Sequence, residues 1–424
     1  MEDVSHSNYS NQTVEKKNEN NDKSDNSTSI SNLTEITPDD NELKKEKQEQ
    51  EEKIKKDKEK NNNQNLNLNE AFSLDKYKKA PMVALENIGN TSYMNCVIQC
   101  LSNIRSIVSY YLKNLNEFKY HIQDMPLTYG LSRIIFHLYP YPQDSLKKSF
   151  SLSGFYKAFV DINPSFSGKK SKNAIDFLIY LLEAIHNEDK NFSFHNNKNE
   201  SINNNNTIFK DYIKYLNENE RSCIFNNFCW INQKTKKCLE CKNESTNYQN
   251  FFTFDLNFKK VFKDILFINK KNEISVMDCL EYFLKKKNIK MYCNNCHKIN
   301  KLCENNSIYF NSNVLIFLFR GYDDKELKEN LSKSINFKYD AQINLTKYIK
   351  EDNTYKTYSL CGIIVFDFEH FDSEDLKYTA YCLNPIDNYW YVYSENSVEK
   401  IKIDEFLTTK YRMYPVILFY KHNE

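Results

Sequence analysis

Hydrophobic and polar positions divide the chain into two stretches of different character. Up to about residue 78 the sequence consists mainly of Asn, Ser, Lys and Glu, and Tyr9 is the only aromatic residue before Phe72. Such a stretch buries too little apolar surface to offset the entropy that is lost on ordering. We therefore predict a disordered tail over residues 1–80 and a folded domain over residues 81–424, where apolar and aromatic residues become frequent.

The folded part changes its periodicity along the chain. Residues 95–101 and 176–186 place apolar side chains three and four positions apart, which predicts helices. Short runs rich in β-branched and aromatic residues follow and predict strands over residues 251–258, 313–319, 378–383, 389–393 and 416–420. Helices followed by a sheet are typical of a segregated α+β fold.

Charge and apolar run length exclude some classes of partner. A formal net charge of +1 gives no electrostatic argument for nucleic acid or an anionic membrane. The apolar runs, such as Phe177–Leu182, are far shorter than a membrane span, and the N-terminus lacks the apolar stretch of a secretory signal. We expect no nucleic-acid or membrane partner, and a protein of the cytoplasm or nucleus.

The clearest motif, ALENIGNTSYMN at residues 84–95, lies where the folded part begins. Gly89 and Asn90 suit a tight turn, and the apolar periodicity after them begins a helix. Ser92 is therefore predicted near a helix N-terminus, where backbone N–H groups and the helix dipole favour an anion. A serine at this position could also serve only as a helix cap.

From Leu85 to Leu101 this region resembles the cysteine box of the ubiquitin-specific proteases. The resemblance continues over most of residues 81–424, most clearly at residues 171–178, 337–349, 378–381, 390–393 and 417–420. It implies an α+β fold of the papain-like cysteine-protease superfamily, shaped like a right hand. In that arrangement a helical thumb covers about residues 82–190, the fingers cover about 220–310, and the palm is formed by the remainder.

The catalytic residues of the family are replaced at the matching positions. The resemblance implies a cysteine nucleophile, a histidine base and an Asp or Asn that orients the histidine. Ser92, Lys377 and Ser394 stand at those positions in this chain. Asn87 matches the residue whose side-chain amide helps to stabilise the oxyanion, and Phe366 matches an earlier histidine of the motif.

Two substitutes for the missing base are considered. Ser92 and Lys377 could form a Ser-Lys dyad, which requires a desolvated lysine because this side chain is protonated at neutral pH. Three acidic residues nearby would keep the lysine charged: Glu374, Asp375 and Glu395. His370 is the other substitute, and its position in an acidic loop favours a surface histidine.

Two further replacements concern the substrate channel. The resemblance implies a glycine before the catalytic histidine, which lets the substrate backbone approach closely. Leu376 stands there and is expected to narrow the channel for the Gly-Gly tail of ubiquitin. Asn173 removes an acidic contact for the arginines of that tail. We therefore expect weakened tail binding in addition to impaired catalysis.

Four cysteines form two CxxC pairs with 51 residues between them, at Cys238, Cys241, Cys293 and Cys296. Four thiolates are a common ligand set for tetrahedral structural Zn²⁺. Two disulfides or free thiols are the alternatives, and both are less expected in an intracellular chain. The resemblance places the two pairs at the tips of the fingers. The remaining eight of the twelve cysteines are expected to be buried or incidental thiols.

Three functions are consistent with these residues. The leading hypothesis is a catalytically inactive relative of a deubiquitinase that binds ubiquitin or acts as a scaffold. The first alternative is an active deubiquitinase that hydrolyses isopeptide bonds through Ser92, for example in a dyad with Lys377, or through an unrecognised residue. The second alternative is a structural subunit of a complex without any ubiquitin contact. Fold alone does not decide among them.

Overall fold

The computed structural model covers most of the predicted folded part of the chain. It describes residues 74, 80, 82–139, 148–168, 170–191, 207–258, 260–261, 264, 273–321, 336–350, 356–366, 376–394, 396–404 and 415–423. These residues all belong to one unit, Asn65–Glu424. The prediction of a disordered tail over residues 1–80 concerns positions that, except for Leu74 and Ala80, lie outside the described residues.

Helices make up most of the described chain before residue 229. In chain order they are α1 (Ser92–Leu101), α2 (Arg105–Lys113), α3 (Leu115–Tyr120), α4 (Pro126–Leu138), α5 (Ser153–Ile162), α6 (Ala174–Lys190), α7 (Thr207–Asn219) and α8 (Cys223–Phe228). The predicted helices at residues 95–101 and 176–186 lie within α1 and α6 and are confirmed. A later helix, α9 (Val276–Leu284), begins with a capping box of Ser275 and Asp278, which satisfies backbone N–H groups at its first turn.

A large, mostly antiparallel sheet occupies the C-terminal part. Its strand order is β15-β14-β13-β12-β16-β9-β5, and β11 pairs with β12 beside this path. The bounds of these strands are β5 (Phe254–Asn257), β9 (Val314–Arg320), β11 (Gln342–Asn344), β12 (Thr357–Phe366), β13 (Tyr378–Leu383), β14 (Trp390–Ser394), β15 (Ser397–Ile401) and β16 (Pro415–His422). Strands were predicted at β9, β13, β14 and β16, and all are confirmed. Helices segregated from a sheet confirm the predicted α+β class.

A separate four-stranded antiparallel sheet has the order β4-β3-β8-β7. Its strands are β3 (Trp230–Cys238), β4 (Glu244–Phe251), β7 (Lys287–Cys293) and β8 (Lys298–Phe310). Two short parallel pairs complete the described strands: β1 (Ala84–Leu85) with β2 (Ser149–Phe150), and β6 (Glu273–Ser275) with β10 (Asn336–Lys338).

The prediction of one strand over residues 251–258 is wrong. β4 ends at Phe251 in the four-stranded sheet, and β5 begins at Phe254 in the large sheet, parallel to β9. Trp230 fixes this crossing, because its ring stacks on Phe254 at 3.9 Å and lies 5.1 Å from the ring of Phe251. Its indole N–H donates to the Thr253 carbonyl at 3.0 Å. The continuous aromatic run in the sequence therefore serves two sheets.

The central strands of the large sheet, β12, β16 and β9, are buried on both faces, which explains why they are almost wholly apolar. Alternate side chains of β9 separate, so that Ile316 and Leu318 join the cluster formed with the N-terminal helices. Leu315 and Phe317 join a second cluster on the opposite face, which includes residues of α9. Fully burying one such side chain contributes about 1.5–3 kcal/mol.

Candidate functional site

A tight turn positions Ser92 as the first residue of α1. Gly89 and Asn90 both adopt left-handed backbone conformations, with φ of +110° and +56°. The Asn87 side-chain oxygen accepts from the backbone N–H of Thr91 at 2.9 Å, which closes the turn. The predicted turn and helix start are thus present. Asn87 uses its oxygen within the turn, so only its NH₂ group remains for the oxyanion role that the sequence predicts.

The Ser92 hydroxyl lies between two backbone groups of a distant segment. It donates to the Leu376 carbonyl at 3.3 Å and accepts from the Tyr378 N–H at 3.3 Å. The residue is only 5% exposed. The alternative that Ser92 caps its own helix is wrong, because Thr91 is the N-cap residue and the Ser92 hydroxyl turns to the other segment.

A second serine binds the same carbonyl. Ser171, in the segment that precedes α6, donates its hydroxyl proton to the Leu376 carbonyl at 2.8 Å. The Leu376 side chain packs against the large hydrophobic cluster formed by the helices and the sheet. Residues 376–378 are therefore held against the start of α1 and the approach to α6 together.

Lys377 lies between the two groups that Ser92 contacts. Its side chain is half-buried. A Ser-Lys dyad requires the serine proton to pass to the lysine amine. In the structure that proton is donated to a carbonyl instead, so the geometry gives the dyad no support. The proposed substitute base His370 and the acidic residues Glu374, Asp375 and Glu395 lie outside the described residues.

Ser394, at the predicted third position, is exposed and exchanges a hydrogen bond with the Ser397 hydroxyl at 2.7 Å. A cavity of about 20 Å³, room for about one water molecule, lies next to it. Its lining includes Ser92 and Ser394 together with Tyr378 and Tyr393. The structure therefore brings two of the three predicted triad positions to one small cavity, which Lys377 does not line.

Phe366, which matches an earlier histidine of the motif, is fully buried. It pairs with Tyr378 across β12 and β13, and the two ring centroids lie 5.4 Å apart. This position holds a packing residue with no proton to exchange.

Asn173 has a structural role that the sequence interpretation missed. Its side-chain oxygen accepts from the backbone N–H groups of Ile175 at 2.8 Å and Asp176 at 3.4 Å, which makes it the N-cap of α6. Asn is among the preferred N-cap residues. Asn followed by a helical apolar pattern is the signal that could have identified this role.

A Ser-His-Glu constellation outside the predicted site was also missed. His186 contacts the Ser222 hydroxyl at 2.7 Å and the Glu220 carboxylate at 2.9 Å. Ser222 is fully buried and accepts from the N–H of Phe225, so it caps α8. Burial lowers the pKa of His186 below its ordinary value. Because no substrate can reach this serine, the constellation is a structural joint between α6 and α8.

The four cysteines of the CxxC pairs meet at one end of the four-stranded sheet. One pair lies in the turn from β3 to β4 and the other in the turn from β7 to β8, and β3 pairs with β8 in register. Their sulfur atoms all lie within 4.8 Å of one another. All twelve cysteines have free thiols, so the disulfide alternative is not what the structure contains.

The two cysteine turns have the same backbone geometry. Lys242 and His297, each directly after the second cysteine of its pair, adopt left-handed φ values of +60° and +53°. Each donates its N–H to the carbonyl of the first cysteine, at 3.1 and 2.8 Å. A hydrogen bond from Asn295 is the main cause that lowers the pKa of Cys241 to about 6. Four sulfurs so arranged have the number and chemistry that a tetrahedral metal site requires.

Comparisons with known proteins identify relatives of the whole described unit. Residues 83–420 match the family model described as Ubiquitin carboxyl-terminal hydrolase. Ubiquitin carboxyl-terminal hydrolase 2 of Homo sapiens is 23% identical over 349 residues, which cover 80% of this chain and 55% of the human protein. The probable ubiquitin carboxyl-terminal hydrolase 16 of Schizosaccharomyces pombe is 22% identical, over 76% of this chain and 64% of its own length. This chain thus spans less than two thirds of these relatives.

Solved structures show the same fold. The Ubp8/Sgf11/Sus1/Sgf73 DUB module of SAGA bound to monoubiquitin matches with a TM-score of 0.60 and 16% identity, over 82% of this chain and 70% of that chain. The same module bound to ubiquitin aldehyde matches with a TM-score of 0.59 and 16% identity, over the same shares. Within the described residues, no helix combines the length and apolar character needed to cross a membrane.

Proposed function

The chain belongs to the ubiquitin carboxyl-terminal hydrolase family, and we propose that it is a non-catalytic member that binds ubiquitin or ubiquitinated proteins. The observation that carries this proposal is the state of the Ser92 hydroxyl. It occupies the nucleophile position, is almost buried, and bonds to the Leu376 carbonyl and the Tyr378 N–H. A nucleophile needs an adjacent base and an open approach for the scissile carbonyl. Neither requirement is met by these contacts.

The remaining catalytic positions support the same proposal. Ser394 carries a hydroxyl paired with another hydroxyl, and Phe366 is a buried ring. A hydroxyl is far less acidic than a thiol, so serine at this position would need a stronger base than the cysteine of the family. Lys377 supplies an amine that is protonated at neutral pH unless it is desolvated. These residues together lack the proton acceptor that peptide hydrolysis requires.

A fluorogenic ubiquitin substrate tests the proposal directly on the full chain. We expect no turnover above the uncatalysed rate, and the same result for Ser92→Ala. Ser153→Ala, at an exposed serine that begins α5, is the matched control for the loss of a hydroxyl. Turnover that disappears in Ser92→Ala and persists in Ser153→Ala would establish an active serine enzyme. Titration of labelled ubiquitin onto the chain then measures binding, and a failure to saturate would favour the structural subunit instead.

We also propose that the CxxC pairs hold a structural Zn²⁺. Cys238, Cys241, Cys293 and Cys296 supply four sulfurs within 4.8 Å, and a closed four-sulfur site requires no further ligand. The ion would join the turns β3–β4 and β7–β8 and would take no part in hydrolysis.

A role within a complex fits the same family. The Ubp8 structures that match this fold are of a module with Sgf11, Sus1 and Sgf73. We propose that this chain likewise acts as a ubiquitin-binding scaffold among protein partners, in the cytoplasm or nucleus. Purification of the full chain from cells, with identification of its stoichiometric partners, tests this role.

A further inference from the structure

Two serine hydroxyls hold residues 376–378 against the start of α1, because both donate to the Leu376 carbonyl. Ser92 Oγ and Ser171 Oγ donate to the Leu376 oxygen at 3.3 and 2.8 Å. The N–H of Tyr378 returns a bond to Ser92 Oγ at 3.3 Å. A backbone carbonyl has two lone pairs, and here both have a donor. We call this arrangement of Ser92, Ser171 and the Leu376 carbonyl the serine clamp.

Apolar packing reinforces the serine clamp. The Leu376 side chain is partly buried against the main hydrophobic cluster. A glycine at this position would make no such contact, because it has no side chain to pack. Opening the clamp would therefore break two hydrogen bonds to the carbonyl and also expose an isobutyl group to water.

The clamp lies where a peptide tail would have to pass. A tail whose end reaches the nucleophile position must bring its last carbonyl within about 3–3.5 Å of Ser92 Oγ. That atom is already in contact with the Leu376 carbonyl and the Tyr378 N–H, and Ser92 is 5% exposed. The cavity beside it, about 20 Å³, admits about one water molecule. A peptide carbonyl therefore cannot take up that position beside Ser92 Oγ while both of these contacts are kept.

We propose that the serine clamp makes ubiquitin recognition by this chain independent of the C-terminal tail. This inference rests on the proposed function. The partner is then ubiquitin recognised through its folded body, whether the tail is free, conjugated or absent. The clamp is a specificity-determining device in this reading, because it excludes the tail that a hydrolase has to bind.

The test compares two probes on the full chain by isothermal titration calorimetry: intact ubiquitin, and ubiquitin truncated before its flexible C-terminal tail. We expect dissociation constants that differ by less than about twofold. A loss of more than about tenfold on truncation would overturn the inference while leaving ubiquitin binding intact. Absence of binding by both probes would overturn the proposed function and the inference together.

A variant with an opened clamp tests whether the clamp is the reason that binding does not depend on the tail. Ser171→Ala combined with Leu376→Gly removes one donor and the isobutyl group, and it should bind intact ubiquitin about tenfold more tightly than truncated ubiquitin. Ser171→Ala alone guards against misfolding of the double variant and should move in the same direction by a smaller factor. Ser153→Ala is the control and should bind both probes equally. If the opened variant binds intact and truncated ubiquitin equally, the proposed role of the clamp is overturned.

Discussion

The cysteine cluster and the Ser92 region belong to the same family fold, yet they differ in whether the side chains that carry chemistry are present beside the backbone turns. At the cluster, the four side chains that carry the chemistry are present, and the backbone turns bring their sulfurs within 4.8 Å. At Ser92, the turn and helix are present, but the Ser92 hydroxyl bonds to the backbone groups of Leu376 and Tyr378. The difference teaches that backbone geometry and chemical capacity can be inherited separately. A shared backbone frame is evidence of fold, and only the side chains are evidence of chemistry.

The strongest way to break this comparison is to test the proposed Zn²⁺ site. We expect about one zinc ion per chain by elemental analysis, and Cys241→Ser should lower Tm by more than about 10 °C, because metal binding contributes folding free energy. Cys303→Ser is the matched control: this half-buried thiol of β8 lies outside the cluster. If the chain contains no metal and Cys241→Ser has the same Tm as the parent chain, this region too has kept only its backbone geometry.

The junction between the two sheets provides the next test. Trp230→Ala should lower the free energy of unfolding by about 3–5 kcal/mol, since it removes a buried ring that stacks on Phe254 and Phe251. Trp390→Ala, at the other tryptophan, removes a half-buried ring and should have a smaller effect. Urea unfolding of the full chain measures both. Equal effects would mean that the crossing at residues 252–253 does not depend on Trp230.

Removing the Ser92 hydroxyl tests the other region of the comparison, where this hydroxyl is expected to contribute to stability. Ser92→Ala should lower the free energy of unfolding by about 1 kcal/mol, because the Tyr378 N–H loses its acceptor and the Leu376 carbonyl loses one donor. Ser153→Ala should stay within about 0.5 kcal/mol of the parent chain. An unchanged stability for Ser92→Ala would contradict the view that this hydroxyl now serves structure.

The smallest expected effect is a pH dependence at the joint between α6 and α8. Burial lowers the pKa of His186, against the opposing effect of the Glu220 hydrogen bond. A depressed pKa means that the unfolded chain binds a proton more readily, so this contribution to stability is present above about pH 6.5 and is lost as the pH falls. Lys190 and Asp189 also face this site.

The measurement for His186 is Tm between about pH 7 and pH 5.5, which should fall with the pH because burial lowers the pKa of this histidine. His186→Asn should flatten the slope, whereas His121→Asn, at a partly exposed histidine, should leave it unchanged. A slope that survives His186→Asn would assign the dependence to other groups.

Sequence patterns predicted the features that depend on residues close together along the chain. Apolar periodicity located α1 and α6, and each CxxC pair is likewise a signal within a few residues. That the two pairs meet, although 51 residues separate them, was expected because four thiolates form a common metal-ligand set. The resemblance placed Ser92 and Lys377 in one site, but the serine clamp could not be predicted, since Ser92 meets Leu376, 284 positions away, through a backbone carbonyl. Asn173 was interpreted only as the loss of an acidic contact for the ubiquitin tail, although its side chain caps a helix. Contacts between distant segments and backbone groups leave no signature in residue type.

The ring stack at the sheet crossing also gives the protein an intrinsic tryptophan fluorescence signal. The chain has two tryptophans, and Trp230 is 2% exposed while Trp390 is half-exposed. An indole shielded from water emits at shorter wavelength than one that water can reach, so the two contributions separate in an emission spectrum. A red shift of the short-wavelength component would report that the four-stranded sheet has moved away from the large one, without any label attached to the chain.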